Sequence, residues 1–292
     1  MDFEYVPCNL CGSDDHRFLF SKIKRRVEFS VVSCKNCGFM FMNPMITEKK
    51  MADVYTSEYY DNYDYETRDE KKRNVADRRN IATFERIMRI TGLQKGNLLD
   101  VGCAAGFFLK SIKDRYSQWN LAGCDVSEQA VKTGISQHNF DLRKGEIVDC
   151  KYDAKSFDLI TMREVIEHVA KPMKSLNEIN RILKESGFLV VQTGNMRSIV
   201  ALILGKRHFY FDSVHVSYFS LKTLKYALAN SGFKVIYVGP IQFSQESKLA
   251  ENGFNLRVWG KLQLLRFLSK LTIGNFSVMG GMFVVAKKVR EP

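Results

Sequence analysis

The spacing of apolar and polar positions divides the chain into three stretches. Over residues 1–45 it alternates with a period of two. Arg17-Phe18-Leu19-Phe20 and Val27-Glu28-Phe29-Ser30-Val31 predict the strands of a hairpin, and Asn43-Pro44 closes the stretch. Residues 46–92 change character. Tyr55, Tyr59, Tyr60, Tyr63 and Tyr65, interleaved with Glu58, Asp61 and Asp64, fit either an aromatic lid over a ligand or a linker helix. A helix is predicted over 66–91, where Ile81, Phe84 and Met88 stand at i, i+3 and i+7, and Gly92 ends it. From residue 93 onward strands and helices alternate. Strands are predicted over 98–101, 121–125, 157–162 and 188–193, and helices over 107–116, from Ser127, and over 176–184, with a last strand over 282–286. Such alternation implies an α/β domain with a parallel sheet covered by helices on both faces. Its ligands belong at the carboxyl ends of the strands.

Charge and cysteine content narrow this picture. The 292 residues carry 44 basic and 32 acidic side chains, a net charge of +12. Residues 196–292 hold 14 basic against 4 acidic groups, and residues 1–195 hold 30 against 28. A basic last third fits an anionic partner such as phosphate, nucleotide, nucleic acid or lipid head group, or simply a solvated basic face. Residues 1–7 contain Asp2 and Glu4 and no apolar run, so a secretory signal is not expected there. No apolar stretch reaches the roughly 18 residues needed to span a bilayer. Seven cysteines, an odd number, predict reduced thiols in a cytoplasmic protein.

Four of those cysteines form two identical pairs. Cys8-Asn-Leu-Cys11 precedes Gly12, and Cys34-Lys-Asn-Cys37 precedes Gly38. Each C-x-x-C can wrap two thiolates around one ion, and two such knuckles supply the four soft ligands of a tetrahedral Zn²⁺. A closed four-cysteine site is structural, and it would let a module of residues 1–45 fold around little core.

The loop after the strand at 98–101 carries the first chemical signal. Gly102 and Gly106 permit close approach of a ligand to the backbone, and Asp125 ends the next strand, where a carboxylate can accept ribose hydroxyls. The spacing does not match the pyrophosphate fingerprint, and Asp100 beside the loop suits a cationic partner such as an amino group.

In combination these segments resemble class I S-adenosylmethionine-dependent methyltransferases over about residues 80–240. Leu98-Leu99-Asp100-Val101-Gly102-Cys103-Ala104-Ala105-Gly106 looks like their first motif, and Gly123-Cys124-Asp125-Val126-Ser127 is similar to their ribose-binding motif. Gly145-Glu146-Ile147 stands where an adenine-contacting segment lies, and Phe157-Asp158-Leu159-Ile160 with Glu164-Val165-Ile166-Glu167-His168-Val169 resembles the fourth motif. The resemblance implies a Rossmann-like seven-stranded sheet with an antiparallel last strand. It implies that Asp100, Gly102 and Gly106 hold the aminoacyl part of S-adenosyl-L-methionine. Asp125 and Val126 would then lie at the ribose, and Glu146 and Ile147 at the adenine.

Methyl transfer to a hydroxyl needs a proton acceptor, and Glu164, Glu167, His168 and the later His215 are the candidates. Glu164, Glu167 and His168 fall on one face if their turn is helical. Imidazole, which titrates near neutral pH, is the simpler base. Glu-x-x-Glu-His with a distant His is also similar to the metal site of ubiquinone-pathway O-methyltransferases and RNA 3′-end methyltransferases, where a divalent ion orients acceptor hydroxyls. An insertion at 195–219 contains Gly205-Lys206-Arg207-His208-Phe209-Tyr210-Phe211, which fits either a nucleotide-diphosphate site or a loop anchored by its aromatics. Residues 256–272 predict a basic amphipathic helix, suited to covering the sheet or lying on a membrane surface.

Together with the leading cysteines, this arrangement most resembles methyltransferases of cell-surface sugar and secondary-metabolite pathways. The expected reaction is methyl transfer to a hydroxyl or carbon of a small anionic acceptor, such as a nucleotide-linked sugar. Two alternatives stay open: a metal-assisted O-methyltransferase for RNA ends or a quinone precursor, and a nucleic-acid-binding zinc protein on a non-catalytic methyltransferase fold.

Overall fold

A computed structural model describes residues 3–47, 70–241 and 280–292. The tyrosines of 55–65, the start of the helix expected over 66–91 and the amphipathic segment 256–272 lie outside the described residues.

The N-terminal module holds two small antiparallel sheets. Strand β1 (Phe3–Glu4) pairs with β5 (Met45–Ile46). Strands β2 (His16–Lys24) and β3 (Val27–Cys34) form the expected hairpin, and β4 (Met40–Met42) pairs with β3. The hairpin turn is Arg25-Arg26, both at positive φ, the backbone of a two-residue type I′ turn without its usual Asn or Gly. Arg25 Nε holds Asp212 Oδ1 at 3.0 Å, which ties the turn to the later insertion.

The main domain begins with helix α1 (Glu70–Thr91), closed by Gly92 at φ 76°. Then come β6 (Gly96–Val101), α2 (Phe107–Lys113), β7 (Trp119–Asp125), α3 (Glu128–His138), β8 (Asp141–Lys144), β9 (Phe157–Arg163), α4 (Pro172–Ile182) and β10 (Leu183–Gly194). A short helix α5 (Ile199–Leu204), strand β11 (Ser217–Tyr218), helix α6 (Leu221–Asn230), and strands β12 (Phe233–Pro240) and β13 (Gly281–Lys288) follow. Seven strands form one sheet in the order β12-β13-β10-β9-β6-β7-β8. β13 runs antiparallel to β10 and β12, and the pairs on the β8 side of β10 are parallel. This is the expected α/β, Rossmann-like methyltransferase sheet.

The central strands are continuously apolar because both faces are covered. Leu98, Leu159 and Val190 enter one core cluster with Phe84 and Phe108, while their chain neighbours Leu99, Ile160 and Val191 enter the other with Phe39 and Phe41. The pleat sends successive side chains to opposite faces, so the sheet separates a helix-covered core from one shared with the N-terminal module. That module is joined further by backbone pairing: β11, from the insertion, adds to β4 as Ser217↔Phe41 and Tyr218↔Met40.

Two boundaries differ from the sequence expectation. The helix at 176–184 starts earlier, at Pro172, and yields at Leu183, which pairs with Phe157 of β9 and so joins the strand. Helix α2 stops at Lys113 rather than near Tyr116. Cap geometry at α3 fits the expectation, with the Ser127 hydroxyl accepting from the Ala130 amide at 3.2 Å.

Candidate active site

The carboxyl edge of β6 and β7 is built from backbone that turns back on itself. Gly102 (φ 72°) and Gly106 (φ 80°) adopt left-handed conformations that a Cβ disfavours. The Gly102 and Cys103 amides donate to the Cys124 carbonyl at 2.8 and 3.1 Å, which folds the loop onto β7. A Cβ on Gly102 would overlap Val165, so this glycine also lets the loop pack on the segment after β9.

Asp125 is 8% exposed, and both of its oxygens are engaged. Oδ2 accepts from the Ala104 amide at 2.8 Å and Oδ1 from the Ser127 amide at 2.9 Å. These bonds use two of a carboxylate's roughly four acceptor positions, and they fix its orientation across the loop. The Gly145 amide donates to the Asp125 carbonyl at 2.9 Å, bringing the next segment alongside. There Val126 and Glu146 are exposed, whereas Ile147 turns into the core at 2% exposure. Asp100 is buried under the loop, where Oδ1 accepts from the Thr161 hydroxyl at 2.5 Å. Burial raises its carboxyl above the ordinary range.

A second group of titratable side chains lies at the end of β9. Only Ile166–His168 forms a helical turn, and it is of the 3₁₀ type. Glu164 has φ 54° and stands outside that turn, so the expected single helical face does not form. Glu167 and His168 meet His215 instead, with their ligand-capable atoms all within 4.8 Å of one another. Glu167 is 1% exposed. Its Oε1 accepts from the Tyr210 hydroxyl, its Oε2 accepts from the Thr193 hydroxyl at 2.9 Å, and those two hydroxyls lie 2.8 Å apart. Glu164 lies against Glu167, and burial first, then that neighbour, push its carboxyl well above the ordinary range.

Both histidines are held in one tautomer. His168 Nδ1 lies 2.9 Å from the Val214 carbonyl, and His215 Nδ1 lies 2.6 Å from the Tyr210 carbonyl. A carbonyl only accepts, so each Nδ1 carries the proton and each Nε2 carries the lone pair. Burial pushes His168 down to about 4 and lowers His215 as well, so both rings are neutral at pH 7. The premise of an unperturbed imidazole is therefore corrected: these are weaker bases than free histidine. Arg163, Glu164, His168 and His215 are reachable by solvent although protein encloses them on nearly all sides, as side chains lining a concavity are.

The insertion supplies anchors to this site. His208, Tyr210 and Phe211 are 0%, 2% and 5% exposed, so the loop is fastened by its aromatics, the second of the two readings left open by the sequence. Thr193 and the Val214 carbonyl were not singled out from the sequence, and Tyr210 was named only as one aromatic of the insertion, with no role at Glu167. Thr193 comes from β10 and the other two from the insertion, and no local spacing links either to Glu167 or His168.

The four N-terminal thiols converge independently of this site. Cys8 and Cys37 sulfurs are 3.5 Å apart, as are those of Cys11 and Cys34, and all four lie within 4.8 Å of one another. A tetrahedron with Zn–S bonds of about 2.3 Å has edges of about 3.8 Å. Gly12 and Gly38, at φ 74° and 77°, close the two knuckles by donating to the Cys8 and Cys34 carbonyls at 2.8 and 2.9 Å.

A seven-stranded sheet of this order, with a glycine loop and a strand-end acid at its carboxyl edge, defines a Rossmann-like domain of the S-adenosylmethionine-dependent methyltransferase class. A family model described as a methyltransferase domain matches residues 68–238, more than half of the chain, and the chain belongs to that family. It is 27% identical over 131 residues to the mitochondrial ubiquinone biosynthesis O-methyltransferase of Dictyostelium discoideum, covering 39% of this chain and 40% of that one. It is 30% identical over 124 residues to a demethylmenaquinone methyltransferase of Staphylococcus aureus strain MRSA252, covering 38% and 52%. The chain spans about half the length of the curated relatives it matches. The fold is similar to a solved SAM dependent methyltransferase from Archaeoglobus fulgidus, with a TM-score of 0.51 at 22% identity over 72% of this chain and 94% of that chain. No helix among the described residues is long and apolar enough to cross a membrane.

Proposed function

We propose that this protein transfers a methyl group from S-adenosyl-L-methionine to a hydroxyl or carbon of a small acceptor seated at the end of β9. The observation that carries this reading is the pair of neutral imidazoles, His168 and His215, each with Nδ1–H bound to a backbone carbonyl. They lie just beyond Val165, which packs against Gly102 of the glycine loop. When bound, the cofactor supplies a methyl group on a sulfonium, a good leaving group, so the protein's task is alignment and exclusion of water. The Gly102–Gly106 backbone and Asp100 hold the aminoacyl end, Asp125 holds the ribose, and Val126, Glu146 and Ile147 border the adenine. His168 Nε2 or His215 Nε2 receives the acceptor's proton. Glu167, clamped by Tyr210 and Thr193, orients that pair, and Glu164 lines the same concavity.

The net charge of +12, concentrated after residue 195, supports an anionic acceptor such as a nucleotide-linked sugar. The names of the two curated relatives support a quinone precursor as the second reading. A divalent ion there would use Glu167, His168 and His215, whose Nε2 lone pairs suit one, and Glu164 lies outside that trio. Cys8, Cys11, Cys34 and Cys37 hold a structural Zn²⁺ whose four-thiolate shell leaves no open position for chemistry.

Incubation with methyl-labelled cofactor and fractionated cell extract, followed by mass spectrometry, tests the reading. Label in a small anionic molecule supports it. Label in RNA, or the absence of any heat with S-adenosylhomocysteine, sinks it. His168→Asn should lower kcat by about a hundredfold or more, with S-adenosylhomocysteine affinity unchanged within about twofold.

A further inference from the structure

Arg163 closes β9 and faces the same concavity as Glu164 and His168, yet the acceptor chemistry leaves it without a task. Its guanidinium carbon lies 3.8 Å from the ring centroid of Phe108, a residue of α2 that is 3% exposed. That stack fixes the plane of the group without using its N–H donors. One edge is loosely held, with Nη1 at 3.4 Å from Asn80 Oδ1 of α1. Nε is buried and has no hydrogen-bond partner among the described residues. Asp100 and Glu164 are its charged neighbours, but neither forms an ion pair with it. A cation placed this way is shielded from much of its water and has opposite charge nearby, but no direct ion pair among the described residues. A planar, forked donor of this kind is suited to a carboxylate.

We infer that Arg163 binds the α-carboxylate at the aminoacyl end of S-adenosylmethionine, with buried Asp100 facing the ammonium of the same zwitterion. The two side chains come from adjacent strands: Asp100 of β6 pairs with Thr161 of β9, two residues before Arg163. Arg163 and Thr161 therefore project from the same face of the sheet, the face on which Thr161 bonds Asp100. An amino-acid zwitterion meets a fixed cation and a fixed acid in this corner. The inference rests on the reading that this edge holds S-adenosylmethionine.

Titration calorimetry with S-adenosylhomocysteine, its decarboxylated form (which keeps the amine) and methylthioadenosine (which lacks both groups) tests it. The wild type should bind S-adenosylhomocysteine at least about tenfold more tightly than the decarboxylated form. Arg163→Met should remove that preference, weakening S-adenosylhomocysteine by about ten- to a hundredfold while holding the other two ligands within about twofold. Arg163→Lys, which keeps the charge and loses the fork, should fall between. Wild-type protein that binds S-adenosylhomocysteine and its decarboxylated form equally overturns the inference and leaves the cofactor reading standing. Wild-type protein that binds none of the three overturns both. If Arg163→Met does not fold, the wild-type preference and Arg163→Lys decide the matter.

Discussion

Asp125 shows how one side chain ties a binding loop to the strand beside it. Its oxygens take the Ala104 and Ser127 amides, so Asp125→Ala leaves two amides short of a partner. The variant should lose about 1–3 kcal/mol of stability by urea unfolding. Its affinity for S-adenosylhomocysteine should fall at least about tenfold by calorimetry. The buried histidines set a pH dependence. His168 and His208 are both pushed down to about 4, mainly by burial, from an ordinary value near 6.5. Between these values the unfolded chain takes up protons that the folded chain refuses, so stability is lost as pH falls from about 6.5 toward 4, with no contribution to the slope above 6.5. Urea unfolding at pH 7 and pH 5 should differ by about 1–2 kcal/mol for each ring. The raised carboxyls of Asp100 and Glu164 act in the opposite direction. Each ring is therefore read from the change in that difference in His168→Asn or His208→Asn, and a difference unchanged by either substitution would contradict their burial as neutral groups. Asp100, Gly102, Gly106 and Asp125 were legible in the sequence because a strand end and its turn are local. Thr193 was not, and Tyr210 was visible only as an aromatic of the insertion, since each reaches Glu167 across a long stretch of chain.

Packing between elements adds a constraint on the glycine loop. Gly102 sits in left-handed backbone against Val165, so Gly102→Ala incurs both conformational strain and overlap. We expect a loss of about 2–4 kcal/mol by urea unfolding. Gly102→Ala with Val165→Ala should recover part of it, because the second change relieves only the overlap. No recovery would mean that strain accounts for the whole effect. Most strands and helices were visible in the hydrophobic period, since the central strands are apolar on both faces and the helices on one. The early start of β10 was not visible, because Leu183 continues the helical pattern and only its partner Phe157 draws it into the sheet. The turn at Glu164 was hidden for a similar reason. A Glu-x-x-Glu-His spacing describes a helix, and a left-handed residue breaks it.

Across the whole molecule, two sheets are stitched through the insertion. The Met42 amide donates to the Val216 carbonyl at 2.9 Å, and the Val216 amide donates to the Glu167 carbonyl at 2.9 Å. Metal removal at the four cysteines should therefore be felt at His168 and His215 rather than at Asp125. Chelator-treated protein should still bind S-adenosylhomocysteine within about threefold while methyl transfer falls at least tenfold. Limited proteolysis should then cut within residues 13–35. Loss of cofactor affinity in parallel with activity would show that the two sheets do not behave separately. The paired cysteines announced their cluster in the sequence. The two-residue strand Ser217–Tyr218, which carries the link, is too short to leave a period.

The pairing of β11 with β4 also constrains any chimera. The cysteine-bearing module and the later insertion share one sheet, because a strand about 176 residues downstream is sewn into the edge of β4. Grafting residues 1–46 onto a related scaffold without residues 195–219 would leave an open seam where Phe41 now meets Ser217. A swap of the first 46 residues must therefore carry residues 195–219 with it to keep that edge paired.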